Sequence, residues 1–355
     1  MRALVAMSGG VDSSVAAALL LDQGHEVIGA TLKQWEGPDG SLPLHGCCTV
    51  ADADDARKAA GTLGIRHYVL DYVKEYNDQV VDPFAAAYLA GRTPNPCIEC
   101  NRRVRFRALL DRASELGCDA LATGHHARIR EDAAGFHLLK AADPGKDQSY
   151  VLHMLGQDEL ARIRFPVGEM TKDEVRAEAR RRGMRTASKP DSQDLCFIAH
   201  DHRSFLLERF PEIAEPGPIL DDSGAEVGRH DGAVGFTVGQ RRGLHLALGE
   251  PRYVLDVRPG TATVVVGSRE DLLVDGVEVS GMSWVAGSPP VDSAVEVKVR
   301  YRSDPVPARL SAGTAGTWEI WFETQHESAA AGQAAVLYGG DEVLGGGTIE
   351  GALHR

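Results

Sequence analysis

An α/β domain on a parallel sheet, then a helical connector, then two small β-rich domains: that is the architecture this 355-residue chain predicts, and three observations carry it. Short apolar runs alternate with helical patterns through the first third of the chain. A glycine turn joins the first apolar run to the first helical pattern. Beyond Pro216-Gly217-Pro218 the helical patterns give way to glycine turns and short alternating segments. Strands alternating with helices imply a parallel sheet covered on both faces, and the later segments read as all-β, as two small barrels.

In chain order, Arg2 to Met7 reads as a strand, residues 13 to 23 as a helix stopped by Gly24, and Glu26 to Lys33 as a second strand. A helix over Thr49 to Leu63 precedes the strand His67 to Tyr72, and a helix over 101 to 116 precedes the strand Asp119 to Thr123. In such a sheet the ligand lies at the carboxyl ends of the strands, where Ser8 to Ser14 and Gly124-His125-His126 emerge. From about residue 141 the pattern becomes that of a connector, in which Thr171-Lys172-Asp173-Glu174 forms a capping box before the helix Val175 to Arg182 and Gly183 ends it. Tyr253 to Val257 and Thr261 to Val266 are two of the late strands. The expected division is 1–203, 204–275 and 276–355.

This length exceeds one ordinary core. An apolar fraction of 43% and a charged fraction of 25% are those of a globular, water-soluble chain. With neither a secretory leader nor a long uncharged apolar run in the sequence, a cytoplasmic location and no membrane partner are expected. A net charge of −13 argues against indiscriminate nucleic-acid binding, though not against a local basic face. Six cysteines, Cys47, Cys48, Cys97, Cys100, Cys118 and Cys196, then point to catalytic or metal use more than to a disulfide framework. Cys118, in an apolar run, reads as a small buried hydrophobe.

The first chemical motif is Ser8-Gly9-Gly10-Val11-Asp12-Ser13-Ser14. A strand, a glycine turn and a helix start in that order make a pocket of backbone N–H groups for phosphate. Ser8, Ser13 and Ser14 offer hydroxyls, and Asp12 places a carboxylate where a Mg²⁺ bridging phosphates would sit. The Gly-Lys-Ser/Thr ending of a Walker loop is absent.

The second is Thr93-Pro94-Asn95-Pro96-Cys97-Ile98-Glu99-Cys100-Asn101. Two prolines hold the backbone extended before a helix expected to begin near Asn101. A thiolate at a helix start is favoured by the dipole, and Arg102, Arg103 and Arg105 add positive potential, so Cys100 is placed to react. Cys196, within Asp191-Ser192-Gln193-Asp194-Leu195-Cys196-Phe197-Ile198, is a third thiol. Cys47-Cys48 has the wrong spacing to complete a zinc site with Cys97 and Cys100.

Five ordered motifs, SGGVDSS, TPNPCIECN, ATGHHA, GKDQSY and DSQDLCFI, with GQRRGL and VRYRS later, make the chain resemble the bacterial tRNA-specific 2-thiouridylases along nearly its whole length. The first motif resembles the loop of PP-loop ATP pyrophosphatases. The resemblance implies a three-domain enzyme in which ATP adenylates O2 of the wobble uridine, position 34, of tRNA, and a cysteine persulfide then delivers sulfur received from a donor protein such as a cysteine desulfurase or relay protein. By the same resemblance Ala6, Met7, Ser8, Gly9, Gly10, Val11, Asp12, Ser13, Leu32 and Gly124 would contact ATP. Asn95, Pro96 and Cys97 would contact the target base, Cys100 would be the nucleophile and Cys196 the persulfide carrier. His125, Lys146, Asp147, Gln148, Arg300, Tyr301 and Gln333 would touch tRNA.

One departure is Cys97, where many members of the family carry Asp. Three thiols, Cys97, Cys100 and Cys196, suit an iron–sulfur cluster with a free iron that could hold sulfide, an alternative sulfur route to the same product.

The residues also suggest a basic face. In Val295 to Arg302, strand alternation sends Val295, Val297, Val299 and Tyr301 inward and Lys298, Arg300 and Arg302 outward, a pattern suited to tracking phosphates. Arg176, Arg180, Arg181, Arg182 and Arg185 form a second cluster, read equally well as a solvated helix face. His67 reads as structural. Two other functions remain open on the residues alone: a PP-loop synthetase adenylating a small metabolite, which would need neither Cys100 nor Cys196, and a nucleotide-binding RNA module without catalysis.

Overall fold

The computed structural model describes residues 1–36, 49–191, 195–198, 201–213, 215–246, 248–287 and 293–355. Cys47 and Cys48 lie outside the described residues, as do Ser192, Gln193 and Asp194. Strands β1 (Arg2–Ala6), β2 (Glu26–Lys33), β3 (Arg66–Asp71) and β4 (Ala120–Thr123) form the expected parallel sheet. After a hairpin of β5 (Arg128–Asp132) and β6 (Gly135–Leu139), β7 (Ile163–Arg164) completes the order β3-β2-β1-β4-β7.

The inner strands read as unbroken apolar runs because both faces are covered: β4 is buried at every position and β2 at six in succession. Helices α1 (Val11–Asp22) and α2 (Val50–Leu63) pack on it. Ala16, Ala17 and Ala18 bring α1 close to its neighbours, and Gly64 in the left-handed region ends α2.

The connector, residues 141–191, carries helices at Gln157–Arg162 and Lys172–Arg181 and short 3-10 turns at Pro144–Lys146, Ser149–Leu152 and Arg185–Ser188. The Thr171 capping box is present, with Thr171 Oγ1 accepting from Glu174 N at 3.3 Å.

The second unit is a four-stranded sheet of β8 (Gly217–Leu220), β9 (Glu226–His230), β10 (Tyr253–Arg258) and β11 (Thr263–Gly267), ordered β10-β11-β8-β9 around Ile219, Val254, Val264 and Val266. The third comprises β12 (Leu273–Trp284), β13 (Ser293–Lys298), β14 (Val306–Ala312), β15 (Trp318–Glu327), β16 (Ala334–Gly339) and β17 (Glu342–Leu353). Because β12 pairs with both β15 and β17, these six strands close into a barrel.

The expected cuts at 203/204 and 275/276 fall inside the helix His202–Arg209 and inside β12. The β5–β6 hairpin, which the sequence did not announce, leaves the first domain and extends the barrel sheet, with Leu138 and Leu139 beside Val343 and Glu342.

Candidate functional site

The glycine turn takes its shape from what touches it. Gly9 has φ +73°, and a Cβ there would lie 2.1 Å from Asp52 O at the start of α2, so both the conformation and the space require glycine. Lys189 fastens the same place: its Nζ bonds Gly9 O at 3.1 Å, Asp52 Oδ1 at 2.6 Å and Asp55 Oδ2 at 2.7 Å. Gly10 precedes α1 without any side-chain cap, which leaves the first N–H groups of the helix for an anion. Ser13 Oγ accepts from Ser8 N at 3.2 Å. Ser14 is corrected from the expectation: its hydroxyl is buried and donates to Gly10 O at 2.9 Å, the carbonyl four residues back, so it is turned into the helix.

Gly124, at the carboxyl end of β4, faces this turn so closely that a Cβ would sit 2.5 Å from Ser13 N. Ala6 ends β1, and Leu32 lies near the end of β2, buried. The residues expected to meet ATP therefore gather along one sheet edge.

Asp12 is the electrostatic centre. Lys172 Nζ lies 2.8 and 2.7 Å from its two oxygens, and His126 Nε2 lies 3.2 Å from Oδ1. Burial works to raise the Asp12 pKa, but the hydrogen bonds from His126 and Lys172 outweigh it and hold the carboxyl below its usual range. Lys172 also reaches Asp191 at 2.8 Å, and Asp191 in turn binds Lys146 and Arg176, both at 2.9 Å. Desolvation opposes ionisation of Asp191, yet Lys172 and Lys146 bring its pKa down to about 2.

Sequence reasoning missed Lys172 and Lys189 at this centre, and of the His125-His126 pair that it placed at the ligand end it gave the functional contact to His125. The structure corrects that. His125 is 6% exposed, lies between the rings of Phe106 and Phe165, and bonds Thr123 Oγ1 at 2.7 Å. Burial pushes its pKa down to about 3, so its ring is a neutral core group with no surface for tRNA.

The helix carrying the cysteines starts earlier than expected. Asn95 caps it, accepting from Cys97 N at 3.1 Å, and the helical run begins at Pro96, passing into a π-helical stretch over Cys100–Ala108. The helix start thus belongs to exposed Cys97, whereas Cys100 lies one turn further in and is buried. Glu99 takes up Arg102 and Arg103, so these do not raise the potential at the thiol.

Cys100 Sγ accepts from Gln34 Nε2 at 3.3 Å, just beyond β2, and Cys196 Sγ lies 2.8 Å from the Tyr76 hydroxyl. Cys100 and Tyr76 belong to one buried cluster, against which Cys196 packs. Among the described residues no three His, Cys, Asp or Glu side chains converge to hold a metal. Cys97 is exposed, Cys100 is buried against Gln34, and Cys196 is half-buried beside Tyr76.

The remaining expected tRNA residues sit where the first domain meets the barrel. Tyr301 is 40% exposed, donates to Asp147 O at 3.3 Å, and its ring lies 5.8 Å from that of Tyr150. The strand reading is corrected here: β13 ends at Lys298 and a turn closed by Ser303 N to Arg300 O follows, so Val295, Val297 and Val299 are buried but Tyr301 is not. Arg300 bonds Glu327 and Ser328 O.

Asp147 accepts from Ala141 N and Ser149, and Gln148 exchanges hydrogen bonds with His126, both at 2.9 Å. Gln333 Nε2 donates to Thr93 O at 2.6 Å. In the arginine cluster of the connector, Arg176 bonds Ala187 O, Lys189 O and Asp191, and Arg181 and Arg182 pair with Glu178, while Arg180, Arg181 and Arg185 are exposed. Cys118 and His67 are structural, as expected: Cys118 is buried and His67 bonds Thr31 Oγ1 at 2.9 Å.

A parallel sheet with an uncapped helix start after an SGGxDS turn, joined to a small β sheet and a closed barrel, defines a PP-loop enzyme with two appended β domains. Family profiles divide the chain the same way: a tRNA methyl transferase HUP domain matches residues 1–200, a tRNA methyl transferase PRC-barrel domain 203–268, and an aminomethyltransferase beta-barrel domain 274–349. The tRNA-specific 2-thiouridylase MnmA of Chloroflexus aggregans is 48% identical, covering 98% of this chain and 97% of that protein. That of Acidothermus cellulolyticus is 48% identical with the same coverage of both. The chain belongs to the tRNA-specific 2-thiouridylase family. Among solved structures, a 4-thiouridine synthetase in complex with RNA and ATP matches 59% of this chain and 50% of that one at 19% identity and a TM-score of 0.36, too low a likeness to carry an argument.

Proposed function

We propose that this protein uses ATP to place sulfur on C2 of the wobble uridine of tRNA, with Asp12 and the α1 start serving adenylation and Cys196 and Cys100 serving sulfur transfer. One observation carries the reading. At the carboxyl end of β2, Leu32, a nucleotide residue in this reading, stands two positions before Gln34, which is bonded to the Cys100 sulfur.

In the first step uridine O2 attacks the α-phosphorus of ATP. The O2–P bond forms, the bond to pyrophosphate breaks, and the N3 proton leaves to solvent. Lys172 and the α1 N–H groups take the charge of the departing pyrophosphate. Asp12, a single carboxylate beside serine hydroxyls, fits Mg²⁺, which is commonly held by one or two carboxylates together with substrate phosphates. Bound there, it would neutralise phosphate charge.

In the second step the outer sulfur of a Cys196 persulfide attacks C2 and AMP leaves with the old oxygen. The Cys100 thiolate then attacks Cys196 Sγ, the sulfur–sulfur bond to the base breaks, N3 regains a proton and a Cys100–Cys196 disulfide remains. An external thiol reduces it, and a sulfur-donor protein reloads Cys196. Packing of Cys100 and Cys196 on one buried cluster supports this route.

The test is reconstitution with ATP, Mg²⁺, tRNA, cysteine and a cysteine desulfurase, reading 2-thiouridine by nucleoside mass spectrometry. One AMP per thiouridine is expected. ATP–pyrophosphate exchange driven by a small metabolite without tRNA would overturn the reading.

A further inference from the structure

The segment that carries Asn95, Cys97 and Cys100 is gripped from outside its own domain. Thr93 N donates to Ala331 O at 2.8 Å, and Thr93 O accepts from Gln333 Nε2 at 2.6 Å. Between these bonds Gly332, φ +93°, brings the two chains so close that a Cβ would lie 3.1 Å from both Thr93 N and Thr93 C.

One residue earlier, Arg92 Nη1 reaches Glu350 Oε2 at 2.7 Å, within β17. One earlier again, Gly91, φ +75°, packs against Val257 O and Pro259, where a Cβ would come within 2.9 Å. Three consecutive residues therefore meet both β domains. Proline at 94 and 96 removes two N–H groups from the loop, so it has few backbone bonds of its own, and the barrel supplies the missing ones. The same proline pair leaves little slack between Thr93 and the Asn95 cap on Cys97.

We infer that the 331–333 turn of the barrel is a positioning element for the cysteine segment, with Gln333 and Arg92 as its positioning residues. The inference rests on the thiolation reading. Adenylation, carried out at the α1 start, does not need this grip. Delivery of sulfur to C2 and resolution by Cys100 do, because both depend on where the helix beginning at Pro96 stands relative to the activated base. Loosening the grip therefore separates the two halves of the reaction: pyrophosphate is still released by adenylation, but less of it is matched by thiouridine.

The experiment uses Gly332→Ala, whose Cβ would press on Thr93, and Arg92→Met in the full-length protein with ATP, tRNA, cysteine and a cysteine desulfurase. Pyrophosphate, 2-thiouridine, the tRNA Kd and its salt dependence are measured for each. Thiouridine per pyrophosphate is expected to fall about a hundredfold, the scale of a misplacement of about 1 Å, with the tRNA Kd within about twofold of wild type. Arg92→Met breaks the grip from the opposite side, so the inference stays testable if Gly332→Ala proves unstable. A ratio that stays at the wild-type value in the folded variants overturns it, and so does weaker tRNA binding with a smaller salt slope at constant ratio, the signature of a plain RNA contact. If wild type itself makes no thiouridine, the thiolation reading fails first.

Discussion

Replacing Gly124 by alanine tests how tightly the nucleotide turn is built. The new Cβ would lie 2.5 Å from Ser13 N, 2.7 Å from Asp12 C and 2.9 Å from Asp12 Cβ. Two of these are main-chain atoms of the first turn of α1, so no rotamer change relieves the crowding. Ordinary contact begins at 3.4 Å, so strand end and helix start must part by about 0.9 Å. Asp12 would move with the helix, away from Lys172 Nζ at 2.7 Å.

Displacement of that size at a reacting centre costs on the order of a hundredfold in rate, and overpacking of this kind destabilises by about 1–3 kcal/mol. The assay is AMP release at saturating tRNA, alongside thermal unfolding and tRNA affinity. We expect kcat/KM for ATP to drop about a hundredfold while tRNA binding stays within about twofold. AMP release within threefold of wild type would refute the argument that this turn is the nucleotide site.

Asp12→Asn should abolish AMP formation with tRNA affinity little changed, because the carboxylate serves the phosphates and RNA affinity comes from cations; equilibrium binding and AMP chromatography check both. If sulfur passes by the proposed persulfide route between Cys196 and Cys100, Cys97→Asp should keep most thiolation activity; loss of thiouridine in that variant would make the exposed Cys97 thiol a participant. His137 bonds Glu342 at 2.7 Å and Asp132 at 3.0 Å, with Arg130 beside both carboxylates, and the two acids raise its pKa. A raised folded value means that its stabilisation is complete below the unfolded value of about 6.5 and is lost as pH rises through the folded one. Thermal unfolding of wild type and His137→Gln from pH 5 to 9 should therefore show a gap at low pH that closes at high pH, and a gap that widens with pH would reverse the assignment.

What could be read in the sequence follows from locality. Strands buried on both faces show as continuous apolar runs, which is why β1, β2 and β4 were legible, and the SGGVDSS turn declares itself by adjacent residues. Lys172 did not, because its meaning depends on Asp12, 160 residues away in the chain; next to Thr171 it looks only like the first residue of a capped helix. Strand alternation was right for Val295 to Val299 and failed at Tyr301, one turn past the end of pairing. The β5–β6 hairpin is charged and half exposed, so no core pattern marked it.

That hairpin also sets a clock. His137 and Glu342, which meet across the junction, are separated by 205 residues, and a ribosome adding 5–20 residues each second leaves roughly ten to forty seconds between their synthesis. Through that interval the outer edge of β6 waits with its ladder groups open, an invitation to mispairing that the short strand and its neighbouring charges blunt. The parallel sheet can thus take shape early in translation, but Arg92 and Thr93, just before the cysteines, find Glu350, Ala331 and Gln333 only after the last strands emerge, so a truncated nascent chain holds the glycine turn without that grip.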